Sequence, residues 1–149
     1  MNKKQIKTIL FFLLDWIWCF PQTLLGFILS RTLWKDSYNE WLISAEFYTS
    51  VRIGEEKEGF LYNYLSGFSL GRYICLHKEY YDEAELEKTV RHECGHTRQS
   101  RRLGPLYLLA VGIPSAYGNL KARKDSKRAE TYYEHYPEKW ADTLGGVKR

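Results

Sequence analysis

At 149 residues, with a net charge of +4, the chain has room for one domain with a real core and not for two of ordinary size. Its three scattered cysteines, Cys19, Cys75 and Cys94, exclude a disulfide framework and point to a reducing compartment. An aromatic content of 16%, with 12 Tyr and 5 Trp, together with the mildly basic balance, suits a boundary between apolar and wet surroundings such as a lipid interface.

Residues 8–30, TILFFLLDWIWCFPQTLLGFILS, carry a single charge, Asp15, over a length that could cross a bilayer. The basic start MNKKQIK looks like the head of a signal peptide, but no small-x-small cleavage site follows it. Pro21 and Gln22 divide the run, which leaves one kinked spanning helix or two helices lying in a membrane surface. Asp15 is expected to mark a helix that only grazes the interface. Residues 1–36 are therefore assigned to an apolar membrane-associated segment, and residues 37–149 to the domain that follows. In a competing reading the protein is soluble and cytoplasmic, with its apolar segments packed on the sheet.

From Trp41 to Ile53 the sequence alternates. Ala45, Phe47, Thr49, Val51 and Ile53 fall on one face, and Ser44, Glu46, Tyr48, Ser50 and Arg52 on the other, which predicts a half-buried strand. GEEKEG (54–59) reads as a turn or loop. A second strand is expected in GFSLGRYICLH, with Phe68, Leu70, Ile74 and Leu76 on one side. In it Gly67 and Gly71 suggest a bulge or a close backbone approach, and His77 is expected at the surface.

Asp82 three residues before Glu85, acidic residues in the first turns, Arg98, Arg101 and Arg102 in the last turns, and a Gly104-Pro105 stop predict a helix over 83–102. Leu86, Val90, Cys94 and Thr97 line its core stripe. Residues 103–120, LGPLYLLAVGIPSAYGNL, form an uncharged insert too short and too rich in Gly and Pro for a span, and so re-entrant, interfacial or core. KARKDSKR (121–128) reads as a solvated basic loop. It comes with no nucleic-acid-recognition motif, and no nucleic-acid partner is expected. Basic residues flank both apolar segments: Lys3, Lys4 and Lys7, then Arg101 and Arg102, then Lys121, Arg123 and Lys124. If the segments enter a bilayer, the positive-inside bias puts these flanks, and the attached helix, on the cytoplasmic side.

That helix carries RHECGH. At about 100° per residue, His92 and His96 project side by side one turn apart, each able to offer a nitrogen to one ion. They point away from the Cys94 stripe, and Gly95 is small enough to let another element come close. Glu93 is rotated off the pair, within reach of a water beside it. Further on, Pro137 suits the first position of a short helix ended by Gly145-Gly146, on which Glu138 and Asp142 share one face. Zinc with two histidines needs a third protein ligand, and a ligating histidine wants a carboxylate on its other nitrogen. One Glu and one Asp can meet both needs.

HECGH (92–96) followed by EKWAD (138–142) resembles the gluzincin branch of the zincin metallopeptidases, which includes thermolysin-like enzymes and the membrane-embedded CAAX prenyl proteases. The resemblance covers residues 68–146 and extends to small bacterial membrane-associated members. The chain is much smaller than thermolysin-like enzymes and lacks the spanning helices of the prenyl proteases. The resemblance implies an α+β zincin-like domain in which His92, His96 and Glu138 bind one Zn2+, Glu93 is the general base and Asp142 orients His92. It implies that GRYICLH is the edge strand that pairs with an extended substrate. The expected activity is hydrolysis of a peptide or protein at the membrane surface, through a zinc-activated water. An oxyanion stabiliser is expected among Tyr132, Tyr133, His135 and Tyr136. The alternative is a catalytically silent zincin-shaped module that holds a structural zinc and recruits a protein partner.

Overall fold

The computed structural model describes residues 2–35, 42–44, 48–56, 67–77 and 82–149. Asn2 opens α1 (Lys3–Ile17): its side chain accepts from the Gln5 N–H while the Gln5 side chain accepts from its own. Pro21, in the first turn of α2 (Phe20–Thr32), lacks only an N–H that the helix start would leave unpaired anyway. The two helices meet at 95°. The apolar run is thus two helices, which by length and composition together could still form a broken span. Among the described residues no single helix is long and apolar enough to cross a bilayer.

Asp15 points into the fold. It is fully buried and accepts from Arg101 Nε (2.7 Å) and Nη2 (2.8 Å), with Arg72 Nη1 at 3.5 Å. Both arginines also donate to the Tyr48 carbonyl. Arg101, expected as a basic flank, is instead an internal counter-ion, and a buried carboxylate persists only when paired in this way. At the bend, Trp18 Nε1 donates to the Arg101 carbonyl, and Gln22 Nε2 to Ser100 Oγ and the Gly104 carbonyl. The α1–α2 corner thereby caps carbonyls at the end of the long third helix.

The strands β1 (Trp34–Lys35), β2 (Leu42–Ser44), β3 (Thr49–Glu56), β4 (Gly67–Leu70) and β5 (Tyr73–His77) form one sheet in the order β1-β3-β5-β4, with β2 also on β3. β3 and β5 are parallel, with Val51 opposite Ile74, and the other pairs are antiparallel. The strand expected over 41–53 is therefore two. The chain reverses before Thr49, which pairs with Ser44, and Tyr48 takes a left-handed φ of 52° at the turn. Residues 41 and 45–47 of that expected strand lie outside the described residues. β3 also runs on to Glu56, into the stretch expected as a loop, of which 57–59 are likewise outside. The second expected strand is a hairpin turned at Gly71 (φ 59°), where a Cβ would press into the backbone of Thr23 in α2. The close approach expected at Gly71 is present; the bulge is a turn. β5 is internal, so GRYICLH is not the edge strand. That place falls to β4.

β3 is buried on both faces rather than half-buried. Val51 joins Ile74, Leu76 and Cys94 in the core, with Ile53, Leu86 and Val90 packed on it. On the other face Arg52 donates to the Ser30 carbonyl of α2. His77 is buried too, edge-on to Trp34, and not at the surface.

Asp82 accepts from the Glu85 N–H to start α3 (Glu83–Leu103), and Gly104, at φ 54°, ends it as expected. Its stripe of Cys94 and Thr97 is fully buried. The apolar insert is almost wholly helical: one 3-10 turn (Gly104–Leu106), one π turn (Leu108–Gly112), then α4 (Ile113–Ala122). The basic stretch 121–128 is not a continuous loop, because α4 reaches into it and Asp125 caps α5 (Ser126–Thr131). A 3-10 turn (Tyr132–Glu134) leads to α6 (Glu138–Gly145), with Pro137 at the cap rather than inside the first turn and Gly146 (φ 73°) closing it. The fold is α+β, a small mixed sheet between α2 and α3.

Candidate metal centre

α3 and α6 cross with their backbones touching. A Cβ at Gly95 would overlap the Ala141 carbonyl, and one at Gly145 the carbonyl of Arg91, so a side chain at either position would force the helices apart. The crossing lays the first turns of α6 beside the middle of α3. His92, His96 and Glu138 meet there, their ligand atoms all within 4.8 Å of one another and all three residues buried.

Glu138 Oε2 lies 3.0 Å from His92 Nε2 and 3.2 Å from His96 Nε2. The far side of each ring is held. His92 Nδ1 donates to Asp142 Oδ1 at 2.7 Å, and His96 Nδ1 to Gln99 Oε1 at 2.7 Å. The direction of the second bond follows from Gln99 itself. Its Nε2 donates to the Pro137 carbonyl at 2.9 Å, which leaves only the acceptor oxygen to face His96. With protons on both Nδ1 atoms, the neutral rings turn bare lone pairs toward a carboxylate oxygen. Such an arrangement needs positive charge between the three atoms, either protons on the rings or a cation.

The donor set is of the kind that a divalent ion such as zinc takes. The two imidazole nitrogens lie 3.0 and 3.2 Å from the carboxylate oxygen, close to the roughly 3.3 Å edge of a tetrahedron with bonds of 2.0–2.1 Å, and the three atoms, all within 4.8 Å of one another, could hold one ion. Both histidines have outer partners that fix their tautomers. Oε1 of Glu138, buried without a hydrogen-bond partner among the described residues, is a further unspent acceptor there.

The electrostatics agree. Burial opposes a charged ring at His92, but the bonds to Asp142 and Glu138 and the nearby charges of Glu93 and Glu138 outweigh it and hold the group at about 9. Burial likewise would raise the Glu138 carboxyl. Hydrogen bonds with His92 and His96 overcome it and keep the group well below the carboxylate range. Asp142 is lowered against its own burial by His92 and Arg149.

Glu93 is half-buried beside the pair, and its carbonyl accepts from Ser69 Oγ of β4 at 3.1 Å. Its charge is felt at three neighbours: His92, Tyr107 and Tyr132. Tyr107 is buried, and burial followed by the Glu93 and Glu138 charges pushes its hydroxyl far up. Tyr132 is pushed far up by burial and then by Glu138. Both phenols therefore stay protonated, and they donate to backbone carbonyls, Tyr107 to Ser69 at 3.4 Å and Tyr132 to Ser115 at 3.5 Å.

Of the expected oxyanion candidates, Tyr133 lies edge-on to the His92 ring at 5.2 Å, with the Arg149 guanidinium stacked 3.3 Å over its other side. Tyr136 commits its hydroxyl to the Ala110 carbonyl and stacks on Trp140. His135 is exposed on the turn before α6. The structure thus brings His92, Glu93, His96, Glu138, Asp142 and Tyr133 together, and leaves His135 and Tyr136 at the periphery. An open cleft of about 250 Å3 is lined by Tyr132, Tyr133 and Arg123 among others, with none of the three ligands in its lining.

Sequence reasoning missed Gln99, Tyr107 and Arg149. Gln99 stands three residues after His96, hence over the same helical face, and that spacing is a readable signal. Tyr107 and Arg149, which donates to Asp142 Oδ2 at 2.6 Å, carry none. In comparisons with known proteins, no family model, no curated protein and no solved structure matches the chain.

Proposed function

We propose that the protein is a zinc-dependent metallopeptidase of zincin-like, gluzincin type. The observation that carries this reading is the convergence of His92 Nε2, His96 Nε2 and Glu138 Oε2, with Asp142 and Gln99 fixing the rings from behind. These three residues would hold the ion. Zinc, when bound, supplies a Lewis acid that polarises a scissile carbonyl and acidifies water. Glu93, next to His92 but not among the ligand atoms, takes the proton from the attacking water and delivers it to the leaving amine. Tyr107 and Tyr132, kept protonated, stand beside the site with their hydroxyls on the Ser69 and Ser115 carbonyls.

The near-complete burial of the ligands, with 4%, 5% and 2% exposure for His92, His96 and Glu138, favours a second reading, a closed structural zinc in a silent binding module. Two variants decide. Purified wild type is expected to carry one equivalent of zinc and Glu138→Ala little, by elemental analysis. Glu93→Gln is expected to keep the metal and lose about 10²–10⁴-fold in cleavage of a quenched peptide library. Full zinc in Glu138→Ala refutes the ligand set. Zinc without cleavage in the wild type, unchanged by Glu93→Gln, selects the silent module.

A further inference from the structure

The helices of the first 32 residues are inside out. α2 buries Gln22, Thr23, Gly26 and Ser30 and exposes Phe20, Leu25 and Ile28, and α1 buries Asp15 while exposing Ile6, Ile9, Leu10, Leu13 and Ile17. In water this ordering is unfavourable, since every exposed apolar side chain forgoes the transfer gain that burial would bring. The segment from Gly104 to Ala122 repeats it. Tyr107 and Val111 face inward, while Leu106, Leu109, Ile113, Tyr117 and Leu120, spaced by three or four, face outward. The two apolar faces join where the Trp18 indole lies on Gly104, with Trp18 and Leu106 both exposed.

Charge identifies what covers them. Asp15 is the only acidic residue in 1–32, and it is buried against Arg101, while 103–124 contain none. Lys3, Lys4 and Lys7 begin α1, Arg102 precedes Leu106, and Arg123 and Lys124 follow α4, all exposed. A second copy of this chain would set these basic rims against each other. An anionic headgroup layer complements them, and hydrocarbon takes the leucines.

We propose that the outer faces of α1 and of the 104–122 segment form one docking surface for an anionic lipid bilayer, engaged in the interface rather than through it. This does not depend on the metal. The inner face of the same 104–122 segment supplies Tyr107 and, through the Ser115 carbonyl, the hydrogen bond to Tyr132, so docking brings the metal centre directly behind the lipid-facing helix.

The test is flotation of the full-length protein with vesicles of phosphatidylcholine alone or mixed with phosphatidylserine. Wild type is expected to float with the mixed vesicles, less with the neutral ones, and less again in high salt. Leu10→Asp/Leu13→Asp and Leu109→Asp/Ile113→Asp are each expected to weaken binding at least roughly tenfold. Lys3→Gln/Lys4→Gln/Lys7→Gln is expected to weaken binding to the mixed vesicles by about fivefold for each lysine and to leave neutral vesicles unaffected. All these positions are exposed, and circular dichroism and zinc content check that the variants fold. Equal, salt-independent binding to both vesicle types overturns the proposal, as does retention of binding by both apolar variants. A lipid-free wild-type dimer that those variants turn into monomers also overturns it, and assigns the face to a second copy. Absence of zinc in a wild type that floats would end the metallopeptidase reading and leave this one standing.

Discussion

Gln99 and Asp142 do the same work from different helices. Each accepts the Nδ1 proton of one histidine and so leaves the other nitrogen, aimed at Glu138, as the one that can turn to a metal. Gln99→Leu is close in shape but removes the acceptor, and is expected to lower zinc affinity about 10–100-fold with no loss of helix, measured by competition with a chelating dye. A merely structural glutamine would change melting without changing that affinity. The histidine also sets a pH dependence. With His92 held at about 9 in the metal-free protein, its ring is protonated at neutral pH, and zinc must displace that proton. Zinc affinity is therefore expected to climb about tenfold per pH unit below about pH 9 and to flatten above it. Stability of the metal-free protein follows the opposite course. A pKa raised from 6.5 to about 9 contributes stability that is complete below the unfolded value and lost as pH rises through the folded one. Glu138 and Asp142, lowered from 4.5 and 3.8, contribute stability above those values and lose it in acid. The metal-free cluster is thus most stabilising from about pH 5 to 6.5. Thermal unfolding with and without chelator across this range checks it, and an unchanged melting point at alkaline pH would exclude the charged His92.

Among the elements, the α3–α6 crossing decides whether the site exists at all. Gly95→Ala improves helix propensity by about 1 kcal/mol, but its methyl collides with the Ala141 backbone, which has no rotamer to yield. A net loss of about 2 kcal/mol by denaturant unfolding, with zinc retention falling alongside, is the expected result. Gly112→Ala serves as the control, because a Cβ there meets nothing nearer than 3.5 Å and the variant is expected to be neutral or slightly stabilised. Both helices of this crossing were legible in the sequence, because their signals are local: an Asp82 cap, a Gly104 stop, Glu138 and Asp142 one turn apart. The hairpins were not. Tyr48 is no turn residue by type, yet it holds a positive φ where its carbonyl is gripped by Arg72 and Arg101. An alternating pattern also continues through a two-strand meander much as it does along one strand. Strand order was illegible for a different reason. Whether β5 or β4 lies at the edge depends on pairing with β3 across the intervening chain, and no local periodicity records that.

At the scale of the molecule, the helix that carries His92 and His96 is anchored at its far end by residues that the sequence presented as an apolar lead. Asp15 could be read as an oddity in a hydrophobic run, but its partners, Arg101 and Arg72, stand 86 and 57 positions away and only the fold names them. Asp15→Asn keeps the shape and removes the buried charge that Arg101 and Arg72 face. It is expected to cost about 3–5 kcal/mol in chemical denaturation, whereas an exposed pair of this kind would cost less than about 1. The same ion pair makes the leading helices something other than a detachable anchor. Trimming the chain before residue 34, the usual first step toward a handier fragment, would delete the carboxylate that faces Arg101 and Arg72 and the glutamine that closes off Ser100 and Gly104. What remained would keep every residue of the HECGH and EKWAD motifs while the long helix bearing the first of them came loose at its end.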